Sequence, residues 1–319
     1  MASVLDIALP LFAIIVLGAI ARKKGLFADH ATEILNRFVY WIALPPLLFL
    51  SMARQPIDQT INLPFIGAFL GSMLAIFGIG VVVSRVLLKN GAAPAYLHGF
   101  NASLCNTAYI GLPMFVIAYG PDRLAPAIIG SVLNASVLMG FVIGLLELAR
   151  GRAHAAGASI AYVARALIRN PLVVAALAGI LASLLGIRLP ASLIALCTTL
   201  GAASGPCALF AIGLFLGGRP LASVLSGDKS EVASIVALKL VAQPLIAWIL
   251  ASYVFPMDSF WTSATVILAA LPTGSLAFVV AQEYEVGLAS TSTAILISTA
   301  LSLVTLSILL ATYAPLAGS

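Results

Sequence analysis

"NTAYIGLPMFVIAYG" (residues 106–120) and "ALPTGSLAFVVAQEYEV" (residues 270–286) decide how this chain is read, because each puts hydroxyls, a glycine and a proline into an otherwise apolar run. Proline removes a backbone N–H and clashes with the carbonyl one turn back. Backbone groups freed in that way cannot face hydrocarbon, so they must be buried in protein or line a wet cavity. The surroundings of the two stretches show that hydrocarbon is the relevant solvent. Of the 319 residues, 62% are hydrophobic and 8% charged, against roughly 25% charged in a soluble domain. A polytopic membrane protein is the class that fits.

A helix crosses the hydrocarbon with about 20 apolar residues. That rule predicts ten spans: 4–21, 32–53, 64–88, 95–119, 124–149, 171–188, 191–217, 231–254, 260–282 and 287–312. The first run lacks a basic leader and a small-residue cleavage site, so it reads as a retained span. Twelve basic residues fall on the side of the loops after spans 1, 3, 5 and 7: Arg22, Lys23, Lys24, Arg37, Arg85, Lys89, Arg150, Arg152, Arg165, Arg169, Arg219 and Lys229. Three fall on the other side (Arg54, Arg123, Arg188). The positive-inside bias then places both termini on the non-cytoplasmic side of the cell (inner) membrane. The longest loop, 150–170, is cytoplasmic on this reading. Its Ile160, Val163, Leu167 and Ile168, beside Arg165 and Arg169, predict a helix lying in the interface.

The prolines carry a repeat. Pro45 and Pro46 of span 2 correspond to Pro206 of span 7, and Pro113 of span 4 to Pro272 of span 9, each offset by about 160 residues. "FVIAYG" of span 4 answers "FVVAQEY" of span 9. Residues 1–150 thus form a first five-helix repeat, 151–170 a linker and 171–319 a second repeat. Since five is odd, the second repeat enters from the opposite side, which is the inverted architecture of secondary transporters. Two matched breaks bring unwound backbone and half-helix ends together, and the positive helix N-termini there favour anions.

Further motifs extend the pattern: "LNRFVYWIALPPLLF" (35–49), "LIRNP" (167–171) and "STSTAILIST" (290–299). Together with the two opening stretches they resemble the auxin efflux carrier family of bacterial permeases and plant PIN carriers, over nearly the whole chain. The resemblance implies an all-α fold of ten helices like that of the bile-acid symporters, with helices 4 and 9 broken and crossing, and a homodimer. It implies transport of a small organic acid as its anion. The short loop between spans 5 and 6 is closer to the bacterial permeases, which points to a mono- or dicarboxylate such as malate or malonate before an auxin-like weak acid. By the same resemblance Asn106 contacts the substrate carboxylate, and Leu44 and Pro45 form an apolar wall.

Other site residues are read directly. Thr107, Gly111 and Pro113 shape the span-4 break, while Pro272, Thr273, Gly274 and Ser275 supply the matching break, two hydroxyls and exposed amides. Asn106 and these hydroxyls have a blander reading as interhelical or back-bonding groups. Lys239 lies about 12 Å along span 8, where a charge costs roughly 2.5–3.5 kcal/mol. It therefore reads as facing inward, with Gln243 one turn on along the same face. Cys105 reads as a small packing residue. The acidic residues near the spans fall at span ends, so no mid-depth proton carboxylate is expected. The three histidines show no metal spacing.

The leading reading is a transporter, secondary-active or facilitative, working by an elevator-like or rocking alternating access. The partners are a small organic anion and the bilayer; no cofactor, metal or nucleic acid is implied. An anion channel and a sodium-coupled symporter are the alternatives, and an enzyme is disfavoured. The membrane potential drives uncoupled anions outward.

Overall fold

A computed structural model of the chain describes residues 4–28, 30–54, 62–149, 171–218 and 227–313. The expected interfacial helix at 158–170 lies outside these residues, as do Arg150, Arg152, Arg165, Arg169 and Arg219 of the charge count. Among the described residues the chain is helical, and each expected span is occupied by helix: α1 (Val4–Lys23), α2 (Ala31–Arg54), α3 (Leu63–Val86), α4 (Ala92–Ser103), α5 (Thr107–Tyr119), α6 (125–149), α7 (Pro171–Leu184), α8 (Ala191–Gly217), α9 (Lys229–Val254), α10 (Ser259–Ala269), α11 (Leu276–Glu283) and α12 (Leu288–Tyr313). Spans 4 and 9 are each a pair of short helices, α4–α5 and α10–α11. Among the described residues, five helices (α2, α3, α8, α9 and α12) are long and apolar enough to cross a membrane.

Prolines act here mainly by widening a helix turn. Three five-residue π-turns, Val39–Ala43, Thr107–Gly111 and Leu238–Ala242, each run directly into a helical turn carrying Pro45, Pro113 or Pro244. The wider turn relieves the clash that a proline makes with the carbonyl one turn back. Pro206 stays inside α8.

The chain divides into two compact units, each assembled from both halves of the sequence. Unit 1 holds 1–62, 108–128 and 167–219. Within it α1 packs along α8 at backbone distance: a Cβ on Gly213 would collide with the Ile15 carbonyl oxygen, and one on Gly18 with that of Phe210. Small residues at such contacts let membrane helices approach closely enough for backbone packing.

Unit 2 holds 63–107, 129–166 and 220–319, hence α3, α4, most of α6, and α9 to α12. Its helices are inverted relative to those of a water-soluble protein. On α9, Lys239 and Gln243 are fully buried while Val241 and Leu245 are 65% and 54% exposed. On α12, Thr291, Ser298 and Ser302 are buried while Val304 and Ile308 face outward. Polar groups inside and large aliphatic groups outside are stable only where the outside is hydrocarbon.

Candidate functional site

The two breaks meet inside unit 2. α4 ends at Ser103, and Leu104 turns into extended backbone at φ −72°, ψ 119°. α10 ends at Ala269, and the chain is unwound until α11 begins at Leu276. The unwound strands pair antiparallel at Cys105 and Thr273. Asn106 N–H donates to Pro272 O at 3.0 Å, and Gly274 N–H donates to Leu104 O at 3.0 Å. A Cβ on Gly274 would lie 3.0 Å from the Leu104 side chain and 3.2 Å from Cys105 O, so glycine is what admits the approach. The break in span 4 thus falls at Leu104–Asn106, ahead of the residues expected to form it. Gly111 and Pro113 lie further on inside α5, where the π-turn Thr107–Gly111 leads into the turn that carries Pro113.

Side chains from four helices hold the crossing. From α6, Asn134 accepts from Cys105 N–H at 3.0 Å and donates to Thr107 Oγ1 at 3.3 Å and Gly130 O at 2.9 Å. From α12, Ser298 Oγ accepts from Thr273 N–H at 3.2 Å. Thr273 Oγ1 donates to Asn101 O of α4 at 3.0 Å, and Asn101 Nδ2 donates to Thr291 Oγ1 of α12 at 2.8 Å. From α9, Lys239 Nζ donates to Gln243 Oε1 at 2.5 Å, Ala269 O at 2.7 Å and Cys105 Sγ at 3.3 Å. Gln243 Nε2 donates to Ser103 O at 3.0 Å and to Cys105 Sγ at 3.4 Å. Cys105, expected only to fill space, is an acceptor for both.

What remains uncommitted is informative. The Asn106 carboxamide is 7% exposed and has no hydrogen bond among the described residues. Ser275 and Leu276, half-buried at the N-terminus of α11, have amides with no backbone acceptor among the described residues. These are the orphan donors that every helix start leaves.

The structure therefore brings Asn106, Thr107, Lys239, Gln243, Pro272, Thr273, Gly274 and Ser275 into unit 2. It does not bring Leu44, Pro45, Gly111 and Pro113 there: all four belong to unit 1. Within that unit Leu44 is fully buried, and Pro45 lines an apolar groove of about 470 Å³ with Trp41, Phe49 and Leu196. Asn101 and Asn134, carboxamides within apolar spans that sequence reading could offer only to a sodium site, instead hold the crossing together, and Thr291 and Ser298 join them with no role assigned from the sequence. Among the described residues no group of histidine, cysteine and carboxylate side chains could hold a metal ion.

Outward-facing aliphatic surface around buried, unwound and partly uncommitted backbone is the architecture of a multi-pass membrane transporter. A family model described as "Membrane transport protein" matches residues 3–310, and the chain belongs to that family, the auxin efflux carriers that its motifs resemble. It is 31% identical over 312 residues to a "Putative malonate transporter" of Rhizobium meliloti (strain 1021), covering 97% of this chain and 96% of that one. An "Uncharacterized transporter" of Methanothermobacter thermautotrophicus is 27% identical, over 93% of this chain and 94% of its own length. The uncharacterized transporter YfdV of Escherichia coli (strain K12) is 24% identical, over 87% of both chains.

Proposed function

We propose that this chain carries a small carboxylate, with malonate and related dicarboxylates the first candidates, by alternating access around the crossing in unit 2. The single observation behind this reading is the pairing of uncommitted donors with a buried cation. The Asn106 carboxamide and the Ser275 and Leu276 amides await an acceptor, in a crossing that holds the Lys239 ammonium and no carboxylate hydrogen-bonded to it. The N-terminus of α11 adds positive potential at the same place. The name borne by the Rhizobium relative agrees with a dicarboxylate.

The finer architecture goes with this reading: ten membrane spans as an inverted five-plus-five repeat (1–150 and 171–319), both termini non-cytoplasmic, and a homodimer. Unit 2 holds both breaks and is the body that would carry the anion in an elevator-like cycle. Thr107, Thr273 and Gly274 shape the site more than they ligate, because their hydroxyls and amides are engaged in the crossing. Leu44 and Pro45, expected as an apolar wall, belong to unit 1 and have no part in the crossing of unit 2.

The test is thermal unfolding of the purified protein in nanodiscs with a panel of mono- and dicarboxylates, with and without sodium, followed by uptake into proteoliposomes. A midpoint raised by one carboxylate class, and no longer raised in Asn106→Ala, is the expected result. A carboxylate response that Asn106→Ala leaves intact would remove Asn106 from the site. No response to any carboxylate, with inorganic anions or neutral solutes active instead, would overturn the substrate class.

A further inference from the structure

Three half-helices of unit 2 meet at the crossing, and they do so with opposite polarity. α11 presents its N-terminus, but α4 and α10 present C-termini, whose last four carbonyls lack helical partners. Each such end carries roughly half a negative charge. The carbonyls of Ser103 and Ala269, the final residues of α4 and α10, are answered by one helix. Ala269 O accepts from Lys239 Nζ at 2.7 Å and Ser103 O from Gln243 Nε2 at 3.0 Å. That second bond turns the amide so that Gln243 Oε1 faces Lys239, which donates to it at 2.5 Å. Cys105 Sγ, 3.3 Å from Nζ, completes the set.

An ammonium has three donors and no acceptor. Here its three donors meet a peptide carbonyl, an amide oxygen and a sulfur, in a pocket where Lys239 is fully buried. Neutral oxygen dipoles and two helix C-termini are the kind of cage that elsewhere strips and holds a free monovalent cation. The i, i+4 spacing of Lys239 and Gln243 sets both side chains on one face, and the π-turn Leu238–Ala242 lies at that point of α9.

We infer that the crossing contains a monovalent-cation site that is permanently filled by the chain's own tethered ammonium, Lys239 Nζ. The transporter then has its counter-cation built in: the carboxylate bound at Asn106 and the α11 N-terminus is balanced from inside, and no free cation enters this cage during the cycle. Removing the tether while keeping the cage converts a built-in charge into a dependence on a small cation in solution. This inference rests on the anion-carrier reading for its consequence in transport, but not for the cage itself.

The experiment separates the two. Wild type, Lys239→Ala and Lys239→Met are unfolded thermally in nanodiscs in choline, sodium, potassium, ammonium, methylammonium and propylammonium chloride at one ionic strength, without any carboxylate. Wild type is expected to show the same midpoint in all of them. Lys239→Ala should unfold lower in choline and recover at least half of that loss in one of the small cations, with alkylammonium the closest replacement. Lys239→Met, whose side chain refills the space, should not respond. Malonate binding is then measured in the same salts: about tenfold weaker in Lys239→Ala in choline, and restored by the cation that restores stability. Indifference of a cooperatively unfolding Lys239→Ala to every cation would overturn the inference, as would a sodium- or potassium-dependent midpoint in wild type. If Lys239→Ala does not fold, Lys239→Arg and Lys239→Met decide: Arg retaining malonate binding at least tenfold better than Met supports the built-in cation, and equal binding overturns it. Cation rescue of stability without any carboxylate binding would keep the cage and discard only the substrate.

Discussion

Asn134 ties α6 to the stretch 105–107 through one carboxamide, so its removal has a calculable cost. In Asn134→Ala the Cys105 N–H, buried at the crossing, loses the acceptor it now reaches at 3.0 Å. An orphaned buried donor costs about 1–3 kcal/mol. Thr107 Oγ1 loses a longer bond of 3.3 Å, and the vacated space adds a cavity contribution. The total is about 2–4 kcal/mol, mostly from the Cys105 amide. At about 2–4 °C per kcal/mol for a large domain, the unfolding midpoint should fall by roughly 5–15 °C. Asn134→Asp is the informative partner. It keeps an acceptor for Cys105 N–H, so it should lose less stability than Asn134→Ala. It also puts a negative charge beside the proposed anion site, so it should lose more transport. Tryptophan fluorescence during heating in nanodiscs, paired with carboxylate uptake into proteoliposomes, reads both. A midpoint for Asn134→Ala within about 1 °C of wild type would refute the bridge as a support of the crossing. Equal transport in the two variants would refute the charge assignment.

Gly274→Ala should push Leu104 and Cys105 away from 270–275 and lengthen the reciprocal pair of bonds; about 1–3 kcal/mol of overpacking is expected, read as a lowered midpoint together with weakened carboxylate stabilisation, whereas an unchanged midpoint would show that Leu104 yields freely. Asp228, at the mouth of α9, caps it by accepting from Ser230 N–H at 2.8 Å and Glu231 N–H at 3.0 Å. The Ser230 hydroxyl and then these amides hold its carboxyl below its ordinary value of 3.8. A lowered folded value stabilises above the unfolded pKa and is lost as pH falls through the folded one. The midpoint gap between wild type and Asp228→Asn should therefore be constant from pH 6 to about 5 and shrink below about 4; a gap that widens on acidification contradicts the cap.

The helices were legible because hydropathy and length decide them, and their order follows from chain order alone. The position of the span-4 break was not. Leu104–Asn106 contains neither proline nor glycine, and nothing local stops α4 at Ser103. What stops it is pairing with Pro272 and Gly274, far away in sequence, and a contact of that range leaves no mark on local propensity. Pro113 was the visible breaker, but a π-turn absorbs it. Lys239 was legible as an inward-facing charge, since an aliphatic stem so far along α9 could not return it to the interface. Its partners were not, because Ala269 O and Ser103 O are main-chain atoms that no side-chain pattern announces.

The shortness of α10 and α11 bears on how this protein is made. At about 1.5 Å per residue, neither reaches across a hydrocarbon layer of about 30 Å. A ribosome-bound chain must therefore hand over 259–283 as one segment, with its unwound middle already inside the bilayer. When that segment arrives, α4 and α9 have been synthesised, and Cys105, Leu104 and Lys239 stand as partners awaiting Thr273, Gly274 and Ala269. The order of synthesis thus supplies the template before the piece that needs it, and truncation after α9 would leave a buried lysine in the membrane with its main carbonyl partner never made.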